Sequence, residues 1–356
     1  MRCRILVLTA ALCLLLSGCS FWMDGEYVSV KPHTGHGSQL PQQAVSVSDY
    51  QQLRDVLEDM VESGAESGVI SIESLDKTQL DSYMQTAIRY VMQNNPVGAY
   101  AVKEITYDVG SFTGATAVAA SITYNYSRVE LQQIRRVDSV AQAKETVASL
   151  LSQCETGAVF LIKNYADTDF AQYVQDYAAE NPVEVMEVPQ VTVGVFPESG
   201  NDRVVSLQFV YQSSRETLRT MQSYVQSVFS SASLYVNGEG TENLKFAQLF
   251  SFLMERNIYK VETSLTPTYS LLRHGVGDSR AFATVYASMC RRTGLDARTV
   301  TGTRAGEAWC WNIICVDGTY YHVDLLQSHS SGGFRKMTDQ DMVGYVWDYT
   351  AYPTCG

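Results

Sequence analysis

The first half of the chain carries one apolar pattern twice, with the second copy 90 positions after the first. Three segments recur: a helical stripe with spacings of three and four, a short apolar run typical of a buried strand, and a second helical stripe. The paired segments are Tyr50, Leu53, Leu57, Met60 and Val61 with Val140, Ala143, Val147, Leu150 and Leu151; Val69, Ile70 and Ile72 with Val159, Phe160 and Ile162; and Leu80, Tyr83, Met84, Ala87 and Ile88 with Phe170, Tyr173, Val174, Tyr177 and Ala178. A pattern repeated in register predicts that one small fold occurs twice.

Each copy then continues into two segments in which apolar and polar residues alternate, as expected for half-buried strands. The sequence Asn-Pro-Val precedes them at 95–97 and again at 181–183, so the offset falls to 86. We therefore predict two related α+β units, at 46–136 and 137–213. Each is expected to run helix, strand, helix, strand, strand and a short polar helix. The alternative is two unrelated α+β units with ordinary patterning.

The N-terminus resembles the signal of a bacterial lipoprotein. Arg2 and Arg4 precede an apolar run at 5–16 that is too short to span a membrane as a mature helix. Leu16, Ser17, Gly18 and Cys19 follow the lipobox pattern, in which diacylglycerol is attached to the cysteine. We expect a signal peptide at 1–18, lipidation of Cys19 and a tether at 19–45, which would anchor the protein on the extracytoplasmic face of the cell membrane. The alternative is an ordinary secretory signal.

Charge and cysteine content narrow the classes of partner and cofactor. The formal net charge is −12, and loss of Arg2 and Arg4 with the signal makes it −14, which argues against a nucleic-acid partner. After removal of the signal and lipidation of Cys19, five cysteines remain with irregular spacing and no CxxC pair: Cys154, Cys290, Cys310, Cys315 and Cys355. We predict no disulfide framework, no metal site and no cofactor.

The last region, 214–356, contains three motifs in the order found in one enzyme superfamily. The run 269–298 places Gly277 two residues before Ser279 and continues into a helical pattern with small and aromatic residues. Downstream stand Trp-Cys-Trp-Asn at 309–312 and Tyr-His-Val-Asp at 321–324. This region resembles the transglutaminase-like domain, which has a papain-type Cys-His-Asp site. The resemblance implies helices packed on an antiparallel sheet.

The same resemblance places the three catalytic positions at Ser279, Trp309 and Asp324, so the cysteine and the histidine are both replaced. An indole N–H donates a hydrogen bond but has no lone pair to accept a proton, so Trp309 cannot act as the base. A serine hydroxyl is a weaker acid than a thiol and needs a base even more. We therefore expect no intact catalytic triad and predict that the domain is a pseudoenzyme. Neither Cys310, which alternation along a strand points away from Trp309, nor His329, in a Ser- and Gly-rich segment, is a good substitute.

Each of the three positions also has a structural interpretation. Ser279 is suited to cap the helix that follows it, or its hydroxyl could reach a ligand at the floor of a cleft. Trp309 is either a core plug that fills the volume of the lost imidazole or an exposed wall on which a ligand stacks. Asp324 is expected to accept a hydrogen bond from the Trp309 indole or from a backbone amide.

These residues lead to three functional hypotheses. In the first, a membrane-anchored lipoprotein binds a peptide, a protein or a cell-wall fragment in the former catalytic cleft, through Ser279, Trp309 and Asp324. In the second, Ser279 supports a weak serine acyl-transferase or hydrolase. In the third, the domain is only a scaffold, and the two front units make the contacts with partners.

Overall fold

We describe a computed structural model of the chain over residues 44–112, 114–236, 238–261 and 263–356. The predicted signal peptide, Cys19 and nearly all of the tether lie outside these residues. The first unit forms a four-stranded sheet in the order β1-β2-β4-β3, with β1 parallel to β2 and the other pairs antiparallel. Its elements are β1 (Val45–Val47), α1 (Tyr50–Glu62), β2 (Ser67–Ile72), α2 (Leu80–Asn94), α3 (Pro96–Ala101), β3 (Val102–Phe112), β4 (Ala115–Tyr124) and α4 (Arg128–Gln132).

The second unit has the same strand order and the same strand directions, β5-β6-β8-β7. Its elements are β5 (Arg135–Val137), α5 (Val140–Ser152), β6 (Gly157–Ile162), α6 (Phe170–Glu180), β7 (Gln190–Phe196) and β8 (Arg203–Val210). Side chains cap the first helix of each unit in the same way, since Asp49 accepts from the Gln52 N–H and Ser139 from the Gln142 N–H. The α+β class is confirmed, and descent of the two units from one duplicated sequence stays a prediction.

Three details of the two units differ from the prediction. The structure begins each sheet with a three-residue strand, β1 or β5, which is too short for an alternating pattern to reveal. Strand β5 pairs Arg135 and Arg136 with β6, so the second sheet starts before the predicted boundary at 137. Only the first unit ends in a short helix, α4, because the chain after β8 turns directly into a long helix.

Aromatic rings join the first two units, and a buried carboxylate fixes the end of the second. The Tyr100 and Tyr126 rings stack at 4.6 Å, and Phe196 of the second unit lies 5.5 Å from Tyr100. Glu187 is buried, and its carboxylate accepts the backbone N–H groups of Gln212 and Ser213 at 2.5 and 3.1 Å. Because those amides precede the first helix of the third unit, this carboxylate fixes the chain where the second unit ends.

The third unit consists of helices packed on an antiparallel sheet in the order β13-β12-β11-β14. A buried helix, α10, packs on β11 and β12 through an apolar face that includes Phe282 and Tyr286. The elements are α7 (Arg215–Tyr235), α8 (Glu242–Met254), β9 (Ile258–Tyr259), α9 (Pro267–Tyr269), a π-helical turn (Ser270–His274), β10 (Val276–Gly277), α10 (Ser279–Arg292), β11 (Ala297–Arg304), β12 (Glu307–Val316), β13 (Thr319–Val323), α11 (Leu325–Ser330), a 3-10 turn (Asp339–Asp341) and β14 (Tyr345–Trp347).

The other face of this sheet carries a second apolar core that includes Trp311, Tyr345 and Trp347. The Trp311 ring meets both of these neighbours edge-on, at 5.1 and 5.8 Å. These contacts hold the short strand β14 against the sheet. Among the described residues, none of the helices has the length and apolar character needed to cross a membrane.

Candidate functional site

Ser279 is the first residue of α10, and the residue before it caps the helix. The Asp278 carboxylate accepts the Ala281 N–H at 2.8 Å, so the capping role considered for Ser279 belongs to Asp278. Ser279 is 8% exposed, and its Oγ accepts the backbone N–H of Cys310 at 3.2 Å. The serine therefore holds the start of α10 against β12, one residue from Trp309.

Trp309 is half-buried on β12, between the two roles considered for it. Its Nε1–H donates to Oδ2 of Asp324 at 2.8 Å, which is one of the two hydrogen bonds expected from the sequence. The Tyr259 ring lies 5.4 Å from the Trp309 ring at an angle of 50°. With its only polar group turned inward, Trp309 presents an aromatic surface and no hydrogen-bonding group to its surroundings.

Asp324 is 1% exposed, and its two oxygens have separate tasks. Oδ1 accepts the backbone N–H groups of Leu326 and Gln327, at 3.0 and 3.1 Å, and so caps α11 where β13 ends. Oδ2 accepts side-chain donors from Trp309 and Tyr345, the latter at 2.6 Å, and Arg304 lies beside it. A buried carboxylate is costly to desolvate, and this set of donors compensates for that cost.

Two residues that the sequence did not indicate, Arg304 and Tyr345, complete the site. The Arg304 guanidinium lies over the rings of both Trp309 and Tyr345, at 5.3 and 5.4 Å from their centres. Burial, together with the hydrogen bond to Asp324, raises the pKa of Tyr345, so the phenol keeps its proton. Both residues reach the site because β14 pairs Tyr345 with Arg304, a long-range contact that no local pattern reveals.

Cys310 and His329 are the two residues considered as substitutes for the missing catalytic groups. Cys310 is buried on β12 with its Sγ 3.8 Å from Thr301 Oγ1, and burial raises the pKa of its thiol. A raised pKa keeps the thiol protonated and a poor nucleophile. His329 is exposed near the end of α11, within a helix where a loop was expected.

A second cluster brings together His322, Asp339 and Cys355, whose ligand atoms lie within 4.8 Å of one another. His322 Nδ1 accepts the Trp311 indole N–H at 3.0 Å, which places the imidazole hydrogen on Nε2, 2.9 Å from Asp339 Oδ1. A neutral imidazole in this tautomer has no lone pair left on Nε2 for a metal or for the Cys355 proton. Burial also raises the pKa of Cys355 to about 12. The cluster therefore acts as a structural network.

Comparison with known proteins agrees with the architecture around this site. The family model described as the transglutaminase-like superfamily matches residues 231–325, which include Ser279, Trp309 and Asp324. The third unit is transglutaminase-like. The matched residues run from the end of α7 to the start of α11 and leave out both front units. No curated protein matches the chain.

Three solved structures resemble parts of the chain. A candidate cysteine protease from Cytophaga hutchinsonii is 11% identical, with a TM-score of 0.27, over 44% of this chain and 70% of its own. A candidate protease from Parabacteroides distasonis is 11% identical, with a TM-score of 0.24, over 72% and 39%. A structure described as a TGase is 10% identical, with a TM-score of 0.28, over 62% and 65%.

Proposed function

We propose that this chain is an extracytoplasmic lipoprotein whose transglutaminase-like domain binds a peptide, a protein or a cell-wall ligand and carries out no acyl transfer. The observation that supports this most is the hydrogen bond from the Trp309 indole to Asp324. In a Cys-His-Asp site this carboxylate would orient a histidine that accepts the proton of the nucleophile. Here it orients a group that can only donate.

The surroundings of Ser279 argue against the serine-enzyme alternative. The hydroxyl is nearly buried and already accepts a backbone N–H from β12. The hydrogen bond described for Ser279 Oγ comes from the Cys310 N–H and not from a histidine, and the imidazole of His322 is committed to Trp311 and Asp339. Loss of a triad member costs on the order of 10⁴-fold in rate, which leaves too little for a physiological enzyme.

The partial exposure of Trp309 favours a binding role over a purely scaffolding one. A residue that only filled the former imidazole volume would be fully buried, whereas this ring is half-buried beside Tyr259, which is 44% exposed. Adjacent aromatic side chains with a polar group held inward are typical of ligand-contacting surfaces. The cysteine in the lipobox pattern, Cys19, would hold this surface at the membrane.

Restoring the missing chemical groups tests the proposal. Ser279→Cys combined with Trp309→His should create a thiol that reacts with iodoacetamide near neutral pH, at least about tenfold faster than Ser279→Cys alone. Mass spectrometry would locate the adduct. The proposal expects neither the wild-type chain nor either single variant to cross-link glutamine and lysine peptides. Cross-linking by the wild-type chain that is lost in Ser279→Ala would overturn it.

A further inference from the structure

The surface around Trp309 is locally basic on a chain with a formal net charge of −12. Arg304 stacks on the Trp309 ring, and Lys260 follows Tyr259, whose ring contacts Trp309. The Lys260 N–H bonds to the Gly277 carbonyl at 2.9 Å, which brings this part of the chain to the start of α10. Two cations beside Trp309 on a strongly acidic protein favour an anionic ligand.

The acids of the same region do not cancel this charge. Asp278 is occupied as the cap of α10, and Asp324 is buried beneath the aromatic rings. Glu307, at the start of β12, is opposite Arg304 in the β11–β12 pairing; it is exposed to solvent, and no ion pair joins these two described side chains. Arg304 and Lys260 therefore supply the positive charge beside Trp309, and Glu307 offsets part of it.

Arg304 is the residue best placed to bind an anion. Its side chain is 35% exposed, and its ion pair with Asp324 is long, at 3.4 Å. The flanking rings of Trp309 and Tyr345 hold the guanidinium plane in position. Two of its N–H groups can bind a carboxylate side by side, and the stacked plane loses little conformational entropy when they do.

We propose that this surface binds a peptide through a carboxylate, with the carboxylate on Arg304 and an adjacent apolar side chain on Trp309 and Tyr259. The inference rests on the proposed binding function and names the chemical class of its ligand. The Trp309 face, whose indole N–H is taken by Asp324, suits an apolar side chain. A planar guanidinium beside them suits a carboxylate, so the ligand combines the two.

Calorimetry with three short peptides tests this in the full chain. The probes are N-acetyl-Ala-Ala-Phe with a free carboxyl group, the same peptide as its amide, and that amide with Glu in place of the first Ala. The free acid should bind about tenfold more tightly than its amide at low salt, and this difference should shrink as salt is added. If the Glu-containing amide binds as tightly as the free acid, the result would support carboxylate binding and assign the carboxylate to a side chain.

Variants separate the inference from the function on which it rests. Arg304→Gln should remove the difference between acid and amide, whereas Arg304→Lys should keep part of it. Arg298→Gln is the matched control, since Arg298 lies on the same strand, stacks on Tyr320 and pairs with Asp296. If the free acid and the amide bind wild type equally tightly, and Trp309→Ala abolishes this binding, only the carboxylate inference would be overturned. The proposed site would be overturned as well if Trp309→Ala left the binding of both peptides unchanged, or if the free acid did not bind wild type at millimolar concentration.

Discussion

The indole nitrogen of Trp309 lies 2.8 Å from Oδ2 of Asp324, in the arrangement by which a carboxylate orients a histidine in a Cys-His-Asp site. In such a site the carboxylate would orient a proton acceptor, whereas the indole that it contacts here can only donate a hydrogen bond. The carboxylate thus has a structural use that does not depend on catalysis. It caps α11 and ties β12 to β14 through Trp309 and Tyr345.

Replacing Asp324 by Asn should destabilise the domain. Every group that approaches the carboxylate donates a hydrogen, so an amide NH₂ would face a donor at one of the two oxygen positions. We expect a loss of about 2 to 4 kcal/mol in the free energy of unfolding. Urea denaturation measures it, with Asp317→Asn, at an exposed hairpin position, as the control that should change stability by less than about 0.5 kcal/mol. A matching loss in both variants would refute this role.

Gly302 should tolerate no side chain. A Cβ there would lie 2.2 Å from the Val346 carbonyl oxygen, so β14 could not pair with β11. Gly302→Ala should cost about 2 kcal/mol or more. It should also release Tyr345, which limited proteolysis near the C-terminus would detect. Gly110→Ala, on β3 with open space around it, is the control and should leave stability nearly unchanged.

The buried His322 should make stability depend on pH. Burial lowers its pKa below the ordinary value of 6.5, although Asp339 acts in the opposite direction. As pH falls through 6.5, the unfolded chain binds the proton first, so stability is full above this pH and decreases below it until the lower folded pKa is reached. Denaturation between pH 7.5 and 5.5 should show this slope in wild type and His329→Gln but not in His322→Gln. An unchanged slope in His322→Gln would count against the assignment.

The anchor prediction concerns Cys19. Because residues 16–19 follow the lipobox pattern, Cys19→Ala should remain unprocessed or leave the membrane fraction. Fractionation of the two proteins, with mass spectrometry of their N-termini, measures this. If the variant is processed and partitions with the membrane as wild type does, the protein is held there by other means.

How much of the fold the sequence predicts depends on how local each feature is. The helical stripes of α1 and α5 arise from residues three and four apart, and they predict helices at Tyr50 and Val140. Three-residue strands such as β5 leave no such pattern, because they form by pairing with a neighbouring strand and are too short to show a period. The boundary predicted at 137 is consequently displaced.

The candidate site follows the same rule. The resemblance to the transglutaminase-like domain indicated Ser279, Trp309 and Asp324, since each lies in one of the contiguous motifs that carry it. Arg304 and Tyr345 lie at Asp324 because β14 pairs with β11, and that pairing depends on tertiary packing around Trp311. The cap of α10 is Asp278 and not Ser279. Both residue types are suited to the role, and only the backbone geometry distinguishes them.

Labelling of Ser279 is the most direct test of the claim that this domain has no acyl-transfer chemistry. The full chain would be incubated with a fluorophosphonate probe, which forms a covalent bond with activated serine hydroxyls, and then mapped by mass spectrometry. Since Trp309 accepts no proton and Ser279 is nearly buried, we predict no adduct at this position. A stoichiometric adduct on Ser279 of the folded chain, which neither Ser279→Ala nor the denatured wild-type chain forms, would contradict the account.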